Sequence, residues 1–276
     1  MAVQNSIITN PASFTALRTL NLINRNLDTT QTRVSTGLKV VGALDNASSF
    51  AIAQGIRGEL KALDSVTQGL NNSKGIGNTA IAGATGISNL LIDVRAKLTE
   101  LANQGITTAQ RGILLSDFAE LLSQASNFVV NATFNGVRLL TGANNVNTLS
   151  NLAGGNLRLT AQTNVGVQIR SIAAAGAAIT TATNAQSVIA NEFSNVQSVI
   201  NTALGTLGAE VRALNLQTTF LEQIRDATDE GLGNIVDADL ARESAKLTSL
   251  QVQQQLSVQT LSIANQRPTS LLGLYR

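Results

Sequence analysis

The sequence predicts a mainly α fold, in which long antiparallel coiled-coil helices come from both chain ends and a small β-hairpin region lies in the middle. Apolar residues recur at seven-residue spacing over about fifty residues of the first half. Both chain ends carry amphipathic helical patterns. Moreover, 43% of the residues are hydrophobic while only 3% are aromatic and Trp is absent. That composition favours helix-on-helix seams over a thick globular core.

Apolar residues between Phe14 and Leu38 follow the seven-residue spacing of an amphipathic helix. The helix is predicted to stop at Ser35-Thr36-Gly37, because a Gly is the usual exit from a helix. Asp45 is then expected to cap the next helix. The residues predicted to pack on the first helix are Leu17, Leu20, Leu27 and Val34.

The second predicted helix carries one unbroken heptad line and a second line beside it, and it exceeds the usual limit of about 25 residues for a globular helix. Such a pattern indicates a coiled coil. Small residues in the middle of the seam would let a partner helix approach closely. The lines are Ile56, Leu63, Leu70, Gly77, Ala84, Leu91, Leu98 and Ile52, Glu59, Val66, Ser73, Ala80, Ile87, Val94, Leu101.

The middle of the chain turns back on itself. A turn is predicted at 103–108, and a shorter helix follows with apolar residues from Leu114 to Phe128 at helical spacing. Helical periodicity is then lost over 139–184, where two alternating runs at 157–161 and 165–169 indicate a β-hairpin. Residues 171–191 are uncharged and rich in Ala and Thr, so we expect a surface loop there that leads into a helix.

Two further helices complete the chain. The first is the natural partner of the second helix, and its predicted seam residues are Ile200, Leu207, Leu214 and Leu221. We expect Gly231 and Gly233 to interrupt it, and Pro268 to end a last helix that runs from about Asn234 to Gln266. The predicted apolar face of that helix is Leu240, Leu247, Leu250, Leu261 and Ala264.

Both chain ends are almost free of charge. Residues 1–17 carry no charged side chain, and neither do residues 247–266, which are rich in Gln instead. Amides are soluble while a chain is alone, yet they can be buried against other amides and backbone at lower cost than lone charges. Both ends are therefore predicted to be buried in an assembly, with each other and with copies of the chain.

Composition argues against enzymatic chemistry. The absence of Cys and His removes thiol nucleophiles, Ser-His pairs, disulfides and most zinc or haem chemistry. Acidic residues number 17, but nothing in the sequence brings a pair of them into a pocket. The sequence therefore predicts a structural protein and not an enzyme, with no catalytic residue, no cofactor and no metal site.

An acidic cluster beside Gly231 and Gly233 is the strongest candidate for a cation site. It lacks the alternating ligands and the closing Glu of a calcium-binding loop. We interpret it as a solvated junction between helices. Its members are Asp226, Asp229, Glu230, Asp237 and Asp239.

Charge and hydropathy argue against nucleic acid and membrane partners. The 19 basic and 17 acidic residues leave a net charge of +2, with no basic stripe that could follow a phosphate backbone. Polar residues interrupt the apolar stretch of residues 1–17, which also lacks a basic start. We therefore expect no membrane segment, and no export through a cleavable signal peptide.

Three groups of motifs occur in order along the chain. The first is RVSTGLK at 33–39, with Asp-Asn-Ala at 45–47 and AIA at 51–53. The second is ATFNGV at 132–137. The third is DADLARES at 237–244, followed by QQ at 254–255, ANQ at 264–266 and LLGLYR at 271–276. Over residues 1–140 and 192–276 the chain thus resembles bacterial flagellins.

This resemblance implies a subunit that self-polymerises into a flagellar filament for swimming motility. Residues 1–44 and 235–276 together would form an inner terminal coiled-coil domain. Residues 45–234 would form an outer helical domain, with a β-hairpin and loops in 139–184. Since only 139–184 stand where longer flagellins insert variable outer domains, a short two-domain form is implied.

The resemblance also implies partners and a location. The partners would be copies of the chain in a helical filament, a flagellar export chaperone, and the cap and hook-junction proteins. The protein would leave the cell unfolded through the flagellar type III apparatus and reside in the extracellular filament.

Two alternatives remain open from the sequence. A hook-filament junction protein of the same superfamily would cap or join rather than polymerise, although the full closing motif favours a flagellin. A surface carbohydrate-binding protein could use the Asn-rich 139–184 region, but that region contains no Phe, Tyr or Trp to stack on a sugar.

Deleting residues 1–17 or 256–276 is expected to abolish filament formation, because each deletion removes an uncharged end predicted to be buried in the assembly. Electron microscopy of the purified variants, beside the full chain treated identically, checks this. Undiminished polymerisation by either variant would contradict the prediction. The ends are also expected to be poorly ordered in the free chain.

Overall fold

The computed structural model describes the backbone of residues 9–272 and the side chains of residues 9–266. It divides into two compact units, one formed by Met1–Glu59 with Ala227–Arg276 and the other by Leu60–Asp226. The predicted mainly α fold is confirmed. Those parts of the predictions that fall on residues 1–8 and 273–276 lie outside the described residues.

Seven α-helices and four short strands account for most of the described chain. The helices are α1 (Pro11–Thr36), α2 (Ala47–Leu101), α3 (Thr108–Asn131), α4 (Thr163–Ala177), α5 (Ala182–Val188), α6 (Ser194–Val236) and α7 (Leu240–Leu272). A π-helical turn, Ile189–Phe193, joins α5 to α6. The strands are β1 (Thr133–Phe134), β2 (Val137–Arg138), β3 (Val146–Leu149) and β4 (Asn156–Leu159).

Helix α1 has well-defined ends. The side chain of Asn10 caps its start by accepting a hydrogen bond from the backbone N–H of Ser13, and Pro11 occupies the first turn. Gly37 ends the helix in the left-handed conformation with φ 73, as the sequence predicts.

The predicted cap of α2 is wrong by one residue. Asn46, not Asp45, accepts a hydrogen bond from Ser49 N–H at the helix start. The Asp45 carboxylate instead accepts from the backbone N–H groups of Val41 and Gly42, at 2.9 and 3.2 Å. Asp45 therefore closes the turn before the helix and leaves capping to its neighbour.

The core of the Leu60–Asp226 unit follows the two heptad lines of α2. Every member of both lines from Leu63 to Leu101 is buried. Across from them, α6 buries Ile200, Leu207, Leu214 and Leu221. Of the predicted seam, only Ile56 is half-exposed, and it belongs to the other unit. The remaining predicted seam residues, Leu63, Leu70, Leu91 and Leu98, are all buried.

The predicted β-hairpin is half wrong. Residues 157–159 lie in β4, but their antiparallel partner is β3, with Val146 opposite Leu159. The second predicted run, 165–169, lies in α4. Its buried residues Val165, Ile169 and Ile172 fall three or four apart, which is the helical period, while Val167 is exposed.

The predicted surface loop at 171–191 is also wrong. Most of it is helical, in α4, α5 and the start of the π-helical turn. Ala182 and Ala185 are buried on α5, with Val188 on the same face, whereas Thr180, Thr181 and Thr183 are exposed. The uncharged stretch therefore consists largely of helices, of which α5 buries one face of small and apolar side chains.

The break between the last two helices is displaced from its predicted position. Helix α6 continues through Gly231 and Gly233 to Val236, because a Gly inside a helix costs only about 1 kcal/mol relative to Ala. The helix ends where the Asp237 side chain lies against Gly233, at which a Cβ atom would meet Asp237 Oδ2 at 2.7 Å. Asp239 then caps α7 by accepting from Arg242 N–H at 3.1 Å.

Helix α7 also passes the residue predicted to end it. Its backbone stays helical across Pro268 to Leu272. Proline inside a helix removes one backbone donor. The carbonyl that would accept from it, that of Ala264, accepts a hydrogen bond from the Asn10 side chain.

Substituting Gly77 tests the close approach of α2 and α6. A methyl group at Gly77 would overlap Val211, a stiff branched side chain, so Gly77→Ala is expected to lower the free energy of unfolding by about 1–3 kcal/mol. Nothing lies within 4 Å of a Cβ built on Gly205, so the matched Gly205→Ala is expected to raise it by about 0.4–1 kcal/mol. Urea unfolding followed by circular dichroism measures both, and equal effects would refute the close contact.

Candidate interface of the chain ends

Helices α1 and α7 pack side by side and antiparallel, and three of the side-chain hydrogen bonds between their described residues show this direction. Asn10 lies against Ala264, Asn24 against Gln254 and Arg33 against Glu243. Residue numbers rise along α1 as they fall along α7, which defines an antiparallel pair. The two chain ends are thus brought together over nearly their whole described length.

The predicted packing residues fall into three classes of exposure. Leu250 and Ala264 are buried, at 7% and 8% exposure, whereas Leu17 and Leu240 are 46% and 49% exposed. The half-buried members are Leu20, Leu27, Val34, Leu247 and Leu261. The pair therefore covers one side of each helix and leaves part of the predicted apolar face open.

The most buried positions of α1 were missed by the sequence prediction. Ile23 is 7% exposed and Thr30 only 1%. They stand seven residues apart on a line next to the predicted one, so a search for spacing alone could have found them. A search for apolar residues passes over Thr30 because its hydroxyl makes it polar.

Amide pairing crosses the middle of the interface. Gln254 Nε2 donates to Asn24 Oδ1 at 2.8 Å, and both side chains are half-buried. The other glutamines of the uncharged stretch are exposed, namely Gln251, Gln253, Gln255, Gln259 and Gln266. One pair of side-chain amides is thus half-buried within the chain, while the other glutamines of this stretch are exposed.

An ion pair lies towards the other end of the interface. Arg33 Nη1 donates to Glu243 Oε1 at 3.4 Å, with side chains 28% and 14% exposed. Arg33 Nε, Glu243 Oε2 and the nearby Thr30 Oγ1 are buried and have no hydrogen-bond partner among the described residues. This region is the least satisfied part of the pair.

Backbone hydrogen bonds fasten the segment after α1 to the junction of α6 and α7. Lys39 N–H donates to Val236 O at 2.7 Å, and Ala238 N–H donates to Gly37 O at 2.8 Å. The Lys39 ammonium also donates to Asn234 O at 2.8 Å. This short antiparallel tie fixes the position at which the two distant parts of the chain meet.

Large apolar side chains remain exposed on both helices. An exposed apolar face of this extent marks a surface for association with protein. The uncharged surroundings on α7 mean that covering this face would desolvate amides and few ions. The exposed residues are Phe14, Leu17 and Leu22 on α1, and Leu240, Val252, Leu256, Val258 and Ile263 on α7.

The described part of the chain contains neither a membrane-spanning helix nor a metal-binding group of side chains. Within residues 9–272, no helix combines the length and apolarity needed to cross a membrane. The described residues hold no group of three or more acidic, His or Cys side chains arranged to bind a metal ion. The acidic cluster at 226–239 accordingly forms no such group.

Family models match both parts of the chain. The model for the bacterial flagellin N-terminal helical region matches residues 7–145, and that for the bacterial flagellin C-terminal helical region matches residues 194–275. Together they include both helices of the interface.

Individual proteins agree with this match. The chain is 36% identical to flagellin FljK of Caulobacter vibrioides, over 99% of each chain. It is 33% identical to a flagellin of Brucella melitensis, over 98% of this chain and 99% of that one. A solved structure from Vibrio parahaemolyticus, described as a flagellar hook-associated protein, shares the fold with a TM-score of 0.59 at 14% identity, covering 70% of this chain and all of that one.

Replacing Thr30 by Val is expected to stabilise the α1–α7 pair by about 1 kcal/mol, because it removes a buried hydroxyl that lacks a partner among the described residues and keeps the side-chain shape. Hydrogen exchange of the α1 amides, measured by mass spectrometry under conditions where the pair is formed, should show slower exchange. Thr30→Ser keeps the hydroxyl, loses the methyl group and should show faster exchange. Faster exchange in Thr30→Val would mean that the hydroxyl is satisfied.

Proposed function

The chain belongs to the bacterial flagellin family as a structural subunit of the flagellar filament, and from this we propose that α1 and α7 form the filament core. In this proposal residues 1–44 and 235–276 together make one inner domain of the filament subunit, and residues 45–234 make an outer helical domain. The exposed apolar face on α1 and α7 is the observation that carries the proposal.

Polymerisation would be driven by burial of that face against other copies. Burying one Leu, Val, Ile or Phe side chain contributes about 1.5–3 kcal/mol, and several such residues line each helix. The predicted packing residues Leu17 and Leu240 are exposed within one chain, so they are proposed to contact neighbouring copies. The half-buried members would serve the pair within the chain.

Side-chain amides are suited both to the free chain and to the filament. The exposed glutamines of α7 keep the free chain soluble, and in the filament they can bond to amides and backbone of a neighbour at lower desolvation cost than charges. The pairing of Gln254 with Asn24 inside one chain supports this interpretation.

The outer domain is proposed to act as a rigid shell. Its seam residues on α2 and α6 are mostly buried within the chain, so they are assigned to folding of the subunit rather than to contacts between copies. The seam comprises Ile56, Leu63, Leu70, Leu91, Leu98, Ile200, Leu207, Leu214 and Leu221.

Further partners follow from the same surface. A chain with this much exposed apolar surface needs cover before assembly, and a flagellar export chaperone is proposed to supply it. The cap and hook-junction proteins are proposed to contact the subunits at the two filament ends. The resulting location is extracellular, after export through the flagellar type III apparatus.

The alternatives have less support. The hook-associated structure from Vibrio shares fold alone, whereas the flagellin relatives match nearly the whole chain. A carbohydrate site in 139–184 has little support, since that region contains no Phe, Tyr or Trp to stack on a sugar. The family is one of structural proteins, so no catalytic role is proposed.

Replacing Leu256 by Asp is expected to abolish filament formation and leave the subunit folded. Leu256 is 57% exposed in one chain, so a charge there is hydrated until a neighbour covers it, when its burial becomes costly. Electron microscopy and sedimentation check assembly, and circular dichroism checks folding. Leu152→Asp, at a comparably exposed Leu in the proposed outer domain, is the control and should assemble normally. Filaments of Leu256→Asp would contradict the proposed core.

A further inference from the structure

Pro268 leaves one backbone carbonyl of α7 without its helical donor, and a side chain from the start of α1 donates to that carbonyl instead. In a helix the carbonyl of Ala264 accepts from the N–H four residues later, and that position is Pro268, which has no N–H. The helix nevertheless continues to Leu272. The freed Ala264 oxygen accepts instead from Asn10 Nδ2 at 2.7 Å.

The side-chain amide of Asn10 makes a second hydrogen bond. Its Oδ1 accepts from Ser13 N–H at 3.2 Å and so caps the start of α1. An Asn side chain offers an acceptor and donors on one short stem. Asp and Ser are equally good helix caps, but Asp has no donor when ionised and Ser is too short to span both contacts.

The contact lies where a missing donor is costly. Ala264 is 8% exposed and Asn10 is half-buried, so water competes poorly for this carbonyl. A carbonyl buried without a donor loses the free energy of its hydration. Continuation of α7 beyond Pro268 and docking of the start of α1 therefore depend on each other.

We propose that Asn10 is a positioning residue that couples the two chain ends, holding α7 helical across Pro268 only while α1 is docked and capped. The inference rests on the proposed filament core and deepens it. It means that the last turns of α7 and the first turn of α1 become ordered as one event, rather than each helix separately joining a growing filament.

A double-mutant cycle on the full chain tests the coupling. Asn10→Ser and Asn10→Asp each retain a cap for α1 and lose the bond to Ala264. Each is expected to raise the critical concentration for polymerisation about tenfold and to speed hydrogen exchange of the amides after residue 264 in filaments. Pro268→Ala restores an N–H to the Ala264 carbonyl, so in that background the same changes should raise the critical concentration by less than about threefold.

A matched control separates this coupling from a general weakening of the interface. Asn24→Ala removes the hydrogen bond between the side-chain amides of Asn24 and Gln254, which also joins α1 to α7 but lies where no proline interrupts the helix. Its effect on the critical concentration should be the same in the unaltered chain and in the Pro268→Ala background.

Failure of the coupling and failure of the proposed filament core give different results. If Asn10→Ser and Asn10→Asp have equal effects in both backgrounds while filaments still form, the coupling is refuted and the filament core stands. If the unaltered chain forms no filaments under the same conditions, the proposed core fails and the coupling fails with it. A reduced effect in the Pro268→Ala background, with Asn24→Ala additive, supports the inference.

Discussion

In the proposed filament core, helices α1 and α7 have to be soluble while the chain is alone and buried once copies have joined, and this double requirement would account for the composition of both ends. Charged side chains would satisfy the first condition and oppose the second, because their burial is costly unless every ion is paired and hydrogen-bonded. Gln and Asn satisfy both. The one ion pair described between these helices, Arg33 with Glu243, leaves buried atoms of both partners without hydrogen bonds among the described residues. It illustrates the cost that the amide-rich stretch avoids.

The second unit meets a different requirement, which is to be fully folded within one chain. It packs helices closely by means of small residues: Gly77 lies against Val211, and Gly176 lies against Phe118. Phe118 is one of the few aromatic side chains, and it is 2% exposed at this close contact. A low aromatic content is therefore compatible with a dense core, because glycine and alanine bring helix backbones near enough for Leu, Ile and Val to fill the space. Self-association and folding are thus assigned to different parts of the sequence.

Long periodic segments could be predicted from the sequence, and local exceptions could not. The heptads of α2 predicted the helix and its buried lines because many residues repeat one signal. By contrast, Gly231 and Gly233 predict a break in the wrong place, because its position depends on the contacts of Asp237 and Asp239. The Asn135-Gly136 pair is a strong hairpin signal, and it forms the turn between β1 and β2 with φ values of 47 and 80. The role of Asn10 needs a partner 254 positions away in the chain, which no local pattern contains.

The π-helical turn has a consequence for how this chain can change over evolution. Buried residues step by three or four along α5 and α6, but by five from Val188 to Phe193, across the turn. One residue more than an α-helix would use is therefore accommodated there, and removing it would rotate everything on one side by about 100° relative to the other. The turn keeps the buried face of α5 and the buried face of α6 on the same side of the continuous helix. Insertion of a single residue could be accommodated at this point without changing which residues are buried on either side.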